Sequence, residues 1–301
     1  MKNKTIFTLI ITLIVVFSSC TNDDGLVDSS ENAITFQTFN HNGQNREYLF
    51  YKPDNLPANS PLVVVMHGYA ESPTKYFNDI GFNQIADTAK FAVCYPKAID
   101  LTWDPFSFNS TDLGFVKALT QELQVQHSLN PNKTFATGFS MGGAMSNLLA
   151  LDENSIFTAV APVAGYVAKD VWDAKNPQNP IPVFLIHGSD DQVVSIDGYK
   201  GGPSVDTLAN YYATLNNCTT TNTSQFTTNT NATYHENGTN DSEVWYYRIT
   251  GHGHVFPGDT DPKAMPYDNS DFNGAEEIWR FFSNVLIGFK PEIAYFAYTK
   301  P

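Results

Sequence analysis

Basic side chains are scarce in this chain. Lys and Arg total 17 against 31 Asp and Glu, a formal charge of −14 over 301 residues. No basic stripe is present to neutralise phosphates, which argues against nucleic acid as a partner. Charged residues make up 16% and hydrophobic ones 42%, a globular rather than a disordered balance. Cysteine is rarer still, with three residues. None stands near a His in a way that suggests a thiolate nucleophile or a zinc site. Cys94 falls in an apolar run and reads as a small hydrophobe. Cys218 falls in a polar loop after a helical segment, and contexts so different argue against a disulfide. There is no internal repeat and no second domain. No metal or organic cofactor is implied.

Long apolar runs are also missing. The apolar stretch at residues 6–17 is too short to span a bilayer comfortably. It follows Lys2 and Lys4 and precedes Ser18-Ser19-Cys20, a pattern that resembles a bacterial lipoprotein signal. That resemblance implies removal of residues 1–19, acylation of Cys20 and a polar tether over 20–33. Asp23 and Asp24, just after the cysteine, resemble the surface-export signals of some Gram-negative bacteria. The expected location is the outer membrane or cell surface, with ordinary secretion as the alternative. Residues 34–287 then form one domain, and 288–301 are an unassigned tail.

Within that domain, alternating runs at 34–39 and 46–52 flank His41-Asn42-Gly43-Gln44, a hairpin signal. The continuous apolar run 61–66 has the composition of a strand buried on both faces. Further strands are expected at 91–95, 134–139, 157–163, 183–186 and 243–249. Helices are expected at 82–90, 112–127, 143–151, 205–216 and 274–284. Strands separated by helix-length segments predict an α/β fold: a mainly parallel sheet with helices on both faces and the leading hairpin as an antiparallel edge. Residues 217–241, dense in Asn and Thr, read as an exposed loop or edge ribbon.

What the chain does have is Gly138-Phe139-Ser140-Met141-Gly142 between a strand and a helix of small residues. A serine on a tight strand-to-helix turn projects its hydroxyl outward, and the flanking glycines permit the strained backbone. Ser140 is therefore the candidate nucleophile. It needs a base, and the base needs a carboxylate to orient it. Downstream, an apolar strand runs into His187-Gly188-Ser189-Asp190-Asp191, where Asp191 is preferred to Asp190 as the acid. After the last strand, Gly251-His252-Gly253-His254 offers two imidazoles, with His254 preferred as base and His252 as loop support or a solvent-facing group. His67 and His187 stand at strand ends and are expected to brace loops. His41, His127 and His235 are expected at the surface. The oxyanion donors are expected to be the backbone N–H groups of Met141 and Tyr69. Tyr69, Trp103 and Phe256 are candidates for the substrate pocket, with core packing the alternative for each.

The motifs His67-Gly68, Gly138 to Met145, His187 to Val194 and Gly253 to Gly258 resemble the polyhydroxybutyrate depolymerase-like esterases, a group similar to bacterial feruloyl and acetylxylan esterases. Trp103-Asp104-Pro105-Phe106 and Asp112-Leu113-Gly114-Phe115 extend the likeness, which covers residues 54–282. It implies the α/β-hydrolase fold, serine ester hydrolysis, and Asp191 and His254 as acid and base. The chain departs from the family pattern at Tyr69, Thr111 and Phe256, which bears on the substrate rather than on the chemistry. The implied substrate is an acyl or hydroxycinnamoyl ester on an extracellular polysaccharide. A polyester depolymerase is the alternative, followed by a peptidase or a non-catalytic glycan-binding lipoprotein.

Overall fold

The computed structural model describes residues 34–261 and 267–288. The expected signal segment, tether, Cys20 and all but the first residue of the tail lie outside the described residues. The strands are β1 (Gln37–His41), β2 (Gln44–Tyr51), β3 (Leu62–Met66), β4 (Ala92–Pro96), β5 (Thr134–Phe139), β6 (Ala159–Val163), β7 (Val183–Gly188), β8 (Thr220–Gln225), β9 (Thr230–Glu236) and β10 (Val244–Ile249). They form one sheet in the order β1-β2-β4-β3-β5-β6-β7-β10-β9-β8. From β4 through β10 every pairing is parallel, and both edges are antiparallel. The edge formed by β8 and β9 is the ribbon suggested by the Asn- and Thr-rich stretch. The central strands β3, β4, β5, β6 and β7 are buried along their whole length, as continuous apolar runs require.

The helices are α1 (Pro73–Asp79), α2 (Phe82–Ala89), α3 (Thr111–Gln126), α4 (Met141–Leu151), α5 (Lys169–Ala174), α6 (Val205–Leu215) and α7 (Gly274–Ile287). The period of two along each strand divides the core cleanly. Val64, Leu185 and Tyr246 face α3, α4 and α6, whereas Val65, Phe184 and Tyr247 face α1, α2 and α7. Capping marks several helix starts: Ser72, Ser110, Ser204 and Asn273 each accept a backbone N–H from the first turn. Beneath the leading hairpin, the buried Arg46 guanidinium meets Asp112 Oδ1 at 2.7 Å and lies 3.9 Å from the Phe115 ring centroid.

Two expectations change. Helices α1 and α5, of seven and six residues, are additional to those read from periodicity, since two turns carry almost none. His235 is buried rather than superficial, with Nδ1 2.9 Å from Thr221 Oγ1 across the edge ribbon. Cys94 and Cys218 are free thiols, and burial pushes the Cys218 thiol up to about 11. No helix among the described residues is long and apolar enough to cross a membrane.

Candidate active site

Ser140 is the one residue between β5 and α4, with φ 57° and ψ −115°. A non-glycine residue in so sparsely populated a region costs about 1–3 kcal/mol, which the surrounding backbone must hold. Its N–H donates to Val163 O at 2.9 Å and its C=O accepts from Ala144 N–H at 2.9 Å. A Cβ at Gly142 would stand 2.2 Å from Met66 O. Only glycine therefore lets α4 start so close to the end of β3.

Three strand ends converge here. Asp191 stands three residues beyond β7, and its Oδ1 accepts the N–H groups of Val193 and Val194 at 2.9 and 2.8 Å. Its Oδ2 is 2.7 Å from His254 Nδ1, and His254 Nε2 is 2.8 Å from Ser140 Oγ. An ionised carboxylate only accepts, so Nδ1 carries the proton and Nε2 is left to accept from the serine hydroxyl. Burial would raise the Asp191 carboxyl, but hydrogen bonds and charge from the facing imidazoles, with the Val194 amide, hold it well below the usual carboxylate range. Of those imidazoles, His187 Nε2 lies 2.8 Å from Val194 O and 3.5 Å from Asp191 Oδ2, so its hydrogen belongs mainly to the carbonyl. Asp190 is exposed and accepts from Ser189 Oγ instead.

The other histidines are structural. His252 does not face solvent: it is buried, its Nε2–H donates to Val255 O at 3.0 Å, and its Nδ1 accepts from Asn269 N–H at 3.0 Å. Burial lowers its pKa and keeps it neutral. His67 likewise spans two loops, with Nδ1–H donating to Gly68 O at 2.7 Å and Nε2 accepting from Ala98 N–H at 3.1 Å.

The expected oxyanion donors are backbone N–H groups. Met141 is the first residue of α4, where an N–H has no intrahelical acceptor. The N–H of Tyr69, in the loop after β3, makes no hydrogen bond to any described residue, while its side chain is exposed. Trp103 corrects its sequence assignment to the pocket. It is fully buried against His67, and its Nε1–H donates to His67 O at 2.9 Å, so it holds this loop from behind. The indole needs a partner for its N–H, and the core supplies it.

Beside His254 opens a cavity of about 490 Å³. Phe139, Val193, Val255, Phe256 and Tyr267 form its apolar lining. The Phe139 ring centroid lies 4.7 Å from that of His254 and 6.5 Å from that of Phe256. Glu71, Lys75 and Asp259 also line it. Sequence reasoning passed over these three; the only local signal was the i, i+4 spacing of Glu71 and Lys75. No group of His, Cys, Asp and Glu among the described residues is arranged to hold a metal ion.

The bifunctional acetylxylan esterase/xylanase of Neocallimastix patriciarum is 28% identical over 161 residues, which cover 53% of this chain and 23% of the relative. The probable feruloyl esterase C of Aspergillus oryzae is 29% identical over 186 residues, covering 59% of this chain and 64% of the relative. The chain thus spans only part of the length of either relative. Among solved structures, the acetyl xylan esterase from Aspergillus awamori superposes with a TM-score of 0.61 at 17% identity, covering 83% of this chain and 99% of that one. That likeness establishes the α/β-hydrolase fold. Residues 47–230, more than half of the chain, match the model of the esterase PHB depolymerase family, and the chain belongs to that family.

Proposed function

We propose that this protein is a serine carboxylic-ester hydrolase that removes acyl groups, feruloyl or acetyl, from an extracellular polysaccharide. The observation that carries the reading is the unbroken chain Ser140 Oγ, His254 Nε2, His254 Nδ1, Asp191 Oδ2 at 2.8 and 2.7 Å. Ser140 Oγ attacks the ester carbonyl while Nε2 takes the hydroxyl proton. The N–H groups of Met141 and Tyr69 receive the oxyanion, which needs fixed donors rather than mobile water. Collapse breaks the bond to the alcohol oxygen, which leaves with the proton from Nε2. Water, deprotonated by His254, then attacks the acyl-Ser140 ester; the bond from the acyl carbon to Ser140 Oγ breaks, Nε2 returns the proton to Oγ, and the carboxylic acid departs. Asp191 stays ionised throughout, stabilising the imidazolium that forms in each half.

The family name favours one alternative, hydrolysis of a hydroxyalkanoate polyester at the same serine. Acid release from methyl ferulate, acetylated xylan and a hydroxybutyrate oligomer, each compared with Ser140→Ala, separates these substrates. Serine-dependent release from any of them supports the chemistry and picks the acyl group; a folded protein silent on all three refutes it. We also place the protein on a lipid tether through Cys20, on the grounds of residues 1–20. Several acyl chains on one cysteine give a stable anchor where a single chain is marginal. Cys20→Ala is expected to move it from the membrane to the soluble fraction, and a soluble wild type would refute the anchor.

A further inference from the structure

We propose that Glu71, Lys75 and Asp259, in the wall of the His254 cavity, form a recognition site for a hydroxyl group of the substrate. This rests on the reading of Ser140 and His254 as the hydrolytic centre. Lys75 Nζ lies 3.3 Å from Glu71 Oε1 and 2.9 Å from Asp259 Oδ2. The Asp259 side chain is 3% exposed, while those of Lys75 and Glu71 are 27% and 26% exposed and open to the cavity. An ammonium has three N–H groups. Two are engaged, and the third has no partner among the described residues. Glu71 Oε2 is occupied, accepting Tyr76 Oη–H at 2.5 Å and Gly68 N–H at 3.1 Å, which leaves Oε1 with accepting capacity.

A free donor and a free acceptor therefore stand side by side on one wall. A hydroxyl uses both at once. A carboxylate is disfavoured, because Asp190 and Asp261 also line the cavity and Lys75 is its one cation among the described residues. A bare alkyl group would strip water from three charges and return nothing. An amine would face the ammonium. Burial alone would lower the Lys75 pKa, but Asp259 and Glu71 together raise it, so the donor stays charged at neutral pH. Phe139, Val255 and Phe256 supply an apolar surface in the same cavity. An acetyl group alone is far too small for about 490 Å³. The fitting ligand is an apolar body that carries a hydroxyl, either a hydroxyaryl acyl group or a sugar ring on the alcohol side.

Two ester series distinguish those sources. Methyl 4-hydroxycinnamate against methyl cinnamate varies the acyl hydroxyl alone. An acetylated methyl xyloside against cyclohexyl acetate varies the hydroxyls of the alcohol. In the wild type, kcat/KM is expected to favour the hydroxylated member of one series by about 10- to 100-fold, the range for a hydrogen bond to a charged group. That preference is expected to fall to within about threefold in both Lys75→Met and Asp259→Asn, since their shared loss is a hydrogen bond of that size. Each ratio is internal to one variant, so general damage to folding or catalysis cancels. An active wild type with ratios near one in both series would overturn the inference, as would a preference that survives in both variants. A wild type indistinguishable from Ser140→Ala on all four esters would instead overturn the hydrolase reading, and the inference with it.

Discussion

Replacing Asp191 by Asn tests the reading at its most exposed joint. The two oxygens of Asp191 do different work: Oδ1 accepts two backbone amides, from Val193 and Val194, and Oδ2 accepts from His254 Nδ1. An asparagine must keep its carbonyl oxygen at the Oδ1 position, because an NH2 group there would meet two N–H donors. Its NH2 therefore faces His254 Nδ1 and donates to it. The imidazole is forced into the tautomer with its proton on Nε2, and it can no longer accept from Ser140 Oγ. Volume and shape barely change, so the fold should persist. Loss of the correct tautomer costs about 10⁴-fold in kcat, roughly 5 kcal/mol of transition-state stabilisation. The assay is steady-state release of ferulic acid, with the thermal midpoint measured alongside. An Asp191→Asn variant within tenfold of the wild type would refute the proposed role of Asp191.

Two further predictions address the fold. Glu243 is pushed up to about 7, first by burial and then by the charges of Glu236 and Asp241, against the hydrogen bond from Trp245 Nε1. Its folded value lies above the ordinary 4.5, so its contribution to stability is complete below 4.5 and lost as pH rises through about 7. Glu243→Gln should flatten that decline by about 1–2 kcal/mol, discounted for solvent screening; denaturant unfolding at pH 4.5 and 8 checks it, and parallel curves would count against it. At Gly188, an added Cβ would stand 2.1 Å from His252 O, so Gly188→Ala must displace the loop that carries His254. A displacement of about 1 Å costs about 100-fold in kcat. A variant with wild-type kcat would show that the loop position is not set there.

The convergence of Ser140, Asp191 and His254 was legible for one reason: each follows a buried strand, β5, β7 or β10, with a glycine in its last two residues or within two residues of its end. Such signals are local in sequence. The hairpin β1–β2 was legible from alternation and the Asn42-Gly43 turn. The edge ribbon β8–β9 was only half legible, because its β8 strand is mostly exposed and polar, so hydrophobic periodicity was silent. Trp103 stayed open between pocket and core, because an aromatic beside a motif reads the same whether it faces substrate or braces a backbone carbonyl. The Glu71, Lys75 and Asp259 cluster was illegible, since Asp259 belongs to the loop beyond β10 while its partners precede and open α1. Only the folded sheet brings those segments together.

The two halves of the site are held by different means. Ser140 is fixed by backbone: β3 and β6 flank β5, and Gly142 abuts Met66 O, so the strained residue has no room to relax. The loop that carries His254 is held by side chains as well as by backbone. His252 ties Val255 to Asn269, while Asp191 reaches His254 itself. A backbone clamp inside a parallel sheet yields only when the sheet opens, whereas a loop pinned by imidazoles can open locally. Mutations in the 250–261 loop should therefore change catalysis with small effects on global stability, and mutations beneath Ser140 should change both. The proposed chemistry matches this division, because a nucleophile at Ser140 must stay aligned with its oxyanion donors while a base at His254 must turn from the serine to the leaving alcohol and then to water.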